Sequence, residues 1–279
     1  MSSNLQTLYG LKFHPFRPGV PIEALYVTPA VDAFLRRVEV SIADGGFVLI
    51  TGEPGSGKST ALRLLAARLQ HVPDVVTGVI EHPQSRTSDF YRELGDLFGI
   101  PLAAHNRWGS FKALRARWND HIAQTLRRPV LIMDEAQETL TTVLCELRVM
   151  VSKDLDSRQL LSVVFAGDGR LPERLRSPEL LPLGSRIRRR LTMDLASRDE
   201  LCACLDHVLA AAGNPQLMTT ELKVTLAEHA VGNYRVLMNL AEELLALAVE
   251  RDLPRLDEKL FLDTYQQVGR ARAAAGKKR

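Results

Sequence analysis

Eight consecutive residues, Gly52-Glu53-Pro54-Gly55-Ser56-Gly57-Lys58-Ser59, have the types and spacing needed to hold a chain of phosphates. Gly52, Gly55 and Gly57 let the backbone bend so that its N–H groups point inward. The strong helical pattern from Thr60 to Leu69 adds the favourable field of a helix N-terminus. Lys58 supplies a point charge to the β- and γ-phosphates, Ser59 offers its hydroxyl to Mg²⁺, and Thr60 closes the candidate nucleotide-binding run. The other half of such a site belongs on a second strand. Val130-Leu131-Ile132-Met133 ends there in Asp134-Glu135, and adjacent residues leave a strand end in different directions. Asp134 can then hold the Mg²⁺ shell while Glu135 polarises an attacking water. The chemistry implied is Mg²⁺-dependent hydrolysis of ATP.

Further residues stand where such chemistry needs charge. The apolar run Leu160 to Ala166 ends in Gly167-Asp168, a place for a polar sensor of the γ-phosphate and equally for an ordinary turn. Arginine stabilises the charge that develops on a transferring phosphate, and in ring-forming ATPases it comes from a neighbouring subunit. The run Arg186 to Arg190 precedes the fifth apolar strand, and Arg186 and Arg189 are the candidates; a solvated or DNA-facing basic run is the competing reading. In Gly232-Asn233-Tyr234-Arg235 the arginine opens a helix, from which it would reach a γ-phosphate or simply face solvent.

These residues require a scaffold, and the hydropathy pattern supplies one. Short apolar runs at 47–51, 75–81, 130–134, 160–166 and 191–195 alternate with helical patterns, the signature of an α/β fold with a five-stranded parallel sheet. Beyond the last strand the pattern is purely helical, which predicts a small C-terminal helical lid over 196–269, opened by a capping box at Ser197 and Glu200. The core is expected at 44–195, an arm and first helix at 1–43, and a basic disordered tail at 270–279. Pro15, Pro18 and Pro21 argue that the arm is extended. With 46% hydrophobic and 25% charged residues, 279 residues can bury a full core and a smaller second unit. The longest apolar runs are too short to cross a bilayer and the N-terminus lacks a signal-peptide layout, so a soluble cytoplasmic protein with no membrane contact is expected. The three cysteines, Cys145, Cys202 and Cys204, have no CxxC spacing and suggest neither a disulfide framework nor a zinc site.

Tyr9-Gly10-Leu11 with Pro15-Phe16, the glycine-rich loop, Asp134-Glu135-Ala136-Gln137, Glu146-Leu147-Arg148 and Gly232-Asn233-Tyr234-Arg235 together resemble the ExeA-like AAA+ ATPases. That group is similar to transposition ATPases of the TnsC, TniB, IstB and Mu B kind. The resemblance runs from about residue 8 to residue 268 and implies an AAA+ P-loop core, ATP and Mg²⁺ as ligands, and a homo-oligomer, either a ring or a helical filament. Secretion-type ExeA proteins continue into a membrane span and a peptidoglycan-binding domain. The end at Arg279 without either leads to the expectation of a transposition regulator that assembles on double-stranded DNA and recruits a transposase. An ATP-driven secretion or assembly ATPase that binds proteins is the alternative, and a stand-alone nucleotide switch is a third. Gripping duplex DNA without reading its sequence takes Lys and Arg aimed at phosphates. Arg107, Lys112 and Arg115 on the segment Arg107 to Arg117, and Lys153 and Arg158 beyond Asp134, are the candidates. Phe111, Leu114 and Trp118 recur there at helical spacing, so the same segment also reads as an amphipathic helix with solvated arginines.

Overall fold

The computed structural model describes residues 8–80, 83–102 and 106–265. The expected basic tail at 270–279 lies outside them. Two compact units emerge, Val27–Asp194 and a second built from Met1–Tyr26 with Leu195–Arg279.

In the first unit five strands, β1 (Gly46–Gly52), β2 (Thr77–Ile80), β3 (Val130–Met133), β6 (Ser162–Gly167) and β7 (Ile187–Met193), pair in the order β2-β3-β6-β1-β7. Every pairing in this sheet is parallel. A short antiparallel ribbon, β4 (Ser152–Lys153) and β5 (Arg158–Gln159), stands apart from it. Side chains alternate along a strand, and in β1 they do so with both faces covered. Phe47 and Leu49 enter one core with Leu131, Met133, Val163 and Phe165. Val48 and Ile50 enter the opposite core with Val130, Ile132, Val164 and Ala166. Because both faces are buried, the strands read as unbroken apolar runs. Each fully buried side chain of this size contributes about 1.5–3 kcal/mol.

The helices that cover the sheet show why they start where they do. On one face lie α1 (Pro29–Ser41) and α2 (Lys58–Gln70), and Thr28 caps α1 by accepting from the N–H of Val31 at 3.3 Å. On the other face lie α3 (Thr87–Phe98), α4 (Arg107–Thr125) and α5 (Thr141–Val151), followed by the short α6 (Arg170–Arg174) and α7 (Leu181–Gly184). Leu114 and Trp118 of α4 are buried in this second core.

The sequence places the fifth strand at 191–195, but it begins at Ile187, so most of the arginine run lies within β7 rather than before it. β7 is an edge strand, where only part of each residue is covered and the apolar signal is weak. Its register against β1 slips by one residue, Phe47 facing Ile187 and Val48 facing Arg189. That bulge makes room for Arg188 and roughens the free edge.

The second unit contains α8 (Arg198–Ala212), α9 (Thr220–Ala230) and α10 (Tyr234–Glu250). Ser197 and Glu200 form the expected capping box at the start of α8. The proline-rich arm does not hang free. Tyr9, Leu11 and Phe16 are buried in the helical core beside Leu205 and Leu209, and the Tyr9 hydroxyl donates to the Leu253 carbonyl at 2.8 Å. Prolines kept this segment from being a long helix, yet its apolar residues still found a core. Cys145, Cys202 and Cys204 are all free thiols, and burial pushes the Cys204 thiol up to about 12, which keeps it protonated. Among the described residues no helix is long and apolar enough to cross a membrane.

Candidate active site

Parallel strands present their C-terminal ends on one edge, and loops there can converge on a ligand. β6 separates β1 from β3, so the ends of these three strands bring Gly52, Asp134 and Gly167 to neighbouring positions. The glycine-rich loop turns directly from β1 into α2. Gly57, at φ 97°, supplies the left-handed residue in front of Lys58, a conformation that side chains oppose. Gly52 is required for space, since a Cβ there would sit 2.4 Å from the Met193 carbonyl oxygen and 2.6 Å from Ser56 Oγ.

Lys58 is only 6% exposed, and its ammonium donates to the carbonyls of Gly52 at 2.8 Å and Glu53 at 3.1 Å. It spans its own loop, where a phosphate chain cradled by the loop would lie. The Ser59 hydroxyl donates to Asp134 Oδ2 at 2.7 Å, joining the end of β3 to the start of α2. A hydroxyl and a carboxylate are hard oxygen ligands, and Mg²⁺ characteristically takes one or two of these and completes its octahedron with phosphates and waters. The pair therefore fits Mg²⁺. Glu135 adopts φ 49°, and its N–H donates to Asp134 Oδ1 at 2.9 Å. The two carboxylates have different partners, Asp134 the Ser59 hydroxyl and Glu135 the Gln137 amide.

Three residues given no role from the sequence complete this edge. Gln137 is buried; its amide donates to Glu135 Oε2 and its amide oxygen accepts from the Asp168 N–H at 3.2 Å. Arg170 binds Asp168 Oδ2 through Nε at 2.8 Å and Glu138 Oε1 at 2.7 Å. Arg174 donates to the carbonyls of Gln137 and of Thr139, the latter at 2.8 Å. A glutamine two places after an acidic pair, and arginines four apart after Gly167-Asp168-Gly169, were the available signals. Asp168 directly follows β6, and the hydrogen bond from Arg170 holds its carboxyl below the usual range, a direction that Lys58 reinforces. Its side chain is committed to a turn with the Arg170 N–H at 2.9 Å.

The basic candidates divide by what they touch. Arg186 is tied to Asp156 at 2.8 Å and to the Pro182 carbonyl, whereas Arg189 sits half-buried in the edge strand. Arg235 is exposed in the first turn of α10, in the helical unit. Arg107 pairs with Glu146, and Lys153 donates to Asn119 Oδ1 at 2.8 Å. Lys112 lies 4.9 Å above the ring of Trp108, which is 64% exposed, and Arg158 meets Asp154 at 3.7 Å on the surface.

Arg115 has partners of its own within the fold. Its guanidinium donates to the carbonyls of Val149 at 2.9 Å and Ser152 at 2.5 Å, capping the end of α5. Arg115→Ala is expected to lower unfolding stability by about 1.5–3 kcal/mol in a denaturant titration, the range for hydrogen bonds to a charged group. An unchanged midpoint would remove the capping role.

Comparison with known proteins agrees with this geometry. Residues 42–175 match the family described as AAA domain. The chain is 31% identical over 237 residues to General secretion pathway protein A from Aeromonas hydrophila, a match covering 83% of this chain and 42% of that protein. Its fold is similar to Orc1 from Aeropyrum pernix, solved in complex with DNA, with a TM-score of 0.68 and 17% identity over 91% of this chain and 68% of the other. Cdc6p from Pyrobaculum aerophilum superimposes with a TM-score of 0.67 and 14% identity over 86% of this chain and 67% of the other. The matched AAA domain, the fold shared with these structures and the glycine-rich loop together give residues 42–175 the architecture of an AAA+ P-loop domain. The transposition expectation receives no support from these relatives, and the secretion relative favours the alternative. Since the match spans only 42% of that relative, the position of Arg279 does not discriminate between the two branches.

Proposed function

We propose that this chain is a Mg²⁺-dependent ATPase that drives a secretion or assembly process by acting on protein partners. The observation that carries this reading is the 31% identity to General secretion pathway protein A across 83% of the chain. Gly52 to Thr60 would wrap the phosphates, with Lys58 moving from its loop carbonyls to the β- and γ-phosphates. Ser59 and Asp134 would hold Mg²⁺, which when bound neutralises charge across those phosphates. Glu135 orients a water and accepts its proton as the water oxygen bonds to the γ-phosphorus and the bond to the β-phosphate oxygen breaks, leaving ADP and phosphate. Arg189 is a better trans-acting finger than Arg186, whose guanidinium is already paired with Asp156. An arginine acting in trans implies a homo-oligomer, ring or filament, with sites shared between subunits. Dependence on ATP supports a cytoplasmic place of work.

The second reading, a transposition regulator on double-stranded DNA that recruits a transposase, rests on Lys112, Arg158 and the arginines of the β7 edge. Anisotropy with a labelled duplex separates the two. Under the protein-partner reading, ATP-loaded protein shows no ATP-dependent DNA binding even at low salt. Binding that needs ATP and weakens on the order of 10³-fold between 50 and 200 mM salt would transfer the assignment to DNA.

A further inference from the structure

We propose that Gln137 is a positioning residue for hydrolysis: one side-chain amide fixes the rotamer of Glu135 and ties it to the end of β6. The inference rests on the ATPase reading and on Glu135 as the residue that accepts the water proton. Both ends of the amide are spoken for. Its nitrogen donates to Glu135 Oε2 and its oxygen accepts from the Asp168 N–H at 3.2 Å. The orientation of the amide is determined by chemistry, because an ionised carboxylate only accepts and a backbone N–H only donates. Gln137 is 6% exposed, so its own amide is withdrawn from water, while Glu135 stays open to solvent on its other side.

The surroundings hold this bridge from three sides. Arg174 grips the backbone of the same turn through the carbonyls of Gln137 and Thr139. Asp134 sets the backbone of Glu135 through the 2.9 Å bond to its N–H, which leaves the Glu135 side chain to Gln137. Gly167 packs against the amide so closely that an added Cβ would lie 2.5 Å from Gln137 Oε1 and 2.8 Å from the flexible Leu171 Cδ2. β6 pairs with both β1 and β3, the strands that carry the P-loop and the acidic pair. A displacement of its end thus reaches Glu135 through one side chain.

The test is steady-state ATPase kinetics on Gln137→Leu, Gly167→Ala, the double variant and Gln137→Leu in a Glu135→Gln background, each with a thermal melt. Misplacing a catalytic group by about 1 Å costs on the order of 10²-fold in rate. Gln137→Leu is expected to lose kcat on that scale with KM for ATP within about twofold of wild type. Gly167→Ala should show the same split, the double variant should be no slower than Gln137→Leu alone, and Gln137→Leu should add nothing to Glu135→Gln. If Gln137→Leu does not fold, Gly167→Ala carries the test. A kcat within about twofold of wild type, losses that multiply in the double variant, or a further loss on top of Glu135→Gln would each overturn the proposal. Full activity in Glu135→Gln alone would instead remove the reading of Glu135 on which it stands.

Discussion

Lys58→Ala is expected to abolish measurable nucleotide binding. The ammonium is buried at the mouth of the loop and makes two hydrogen bonds to loop carbonyls, at 2.8 and 3.1 Å. A bound nucleotide exchanges those neutral acceptors for charged oxygens, and each charge-assisted bond is worth about 1.5–3 kcal/mol. Losing two of them would weaken affinity by at least roughly 100-fold. Alanine also leaves the Gly52 and Glu53 carbonyls without this donor, so the loop itself should loosen. Calorimetric titration with ATP and Mg²⁺ measures the effect directly. An affinity within a few-fold of wild type would show that the loop amides, and not the lysine, carry the phosphates.

Glu135→Gln separates binding from chemistry. The amide is nearly isosteric and leaves the bond from the Glu135 N–H to Asp134 at 2.9 Å untouched, but it cannot accept the water proton. General-base catalysis contributes about 10²–10⁴-fold, so kcat should fall by that order while ATP affinity stays near wild type. The ATP-bound oligomer should then accumulate, visible as a larger species by light scattering. Turnover at the wild-type rate would assign the base elsewhere and would also remove the premise of the Gln137 bridge.

Legibility of the site followed the range of the contacts that make it. Gly57 and Lys58 were readable because a left-handed turn in front of a helix is a local requirement, met within a few residues. β1 and β3 were readable because burial on both faces leaves an unbroken apolar run. β7 was misplaced at its start because an edge strand tolerates arginine, and the arm at Tyr9 to Phe16 was read as extended because prolines speak only about the backbone. Arg115 looked like any surface arginine on an amphipathic helix, and the carbonyls it caps lie 34 and 37 residues away.

The sequence by itself determined the chemistry of the phosphate loop and of the Asp134-Glu135 pair, since both are runs of adjacent residues whose geometry is set by the local backbone. Tertiary structure alone decided that Ser59 meets Asp134 across 75 residues, and that Gln137 meets the Asp168 amide across 31. Those bonds exist because β6 lies between β1 and β3 in the sheet, and strand order is a product of long-range packing.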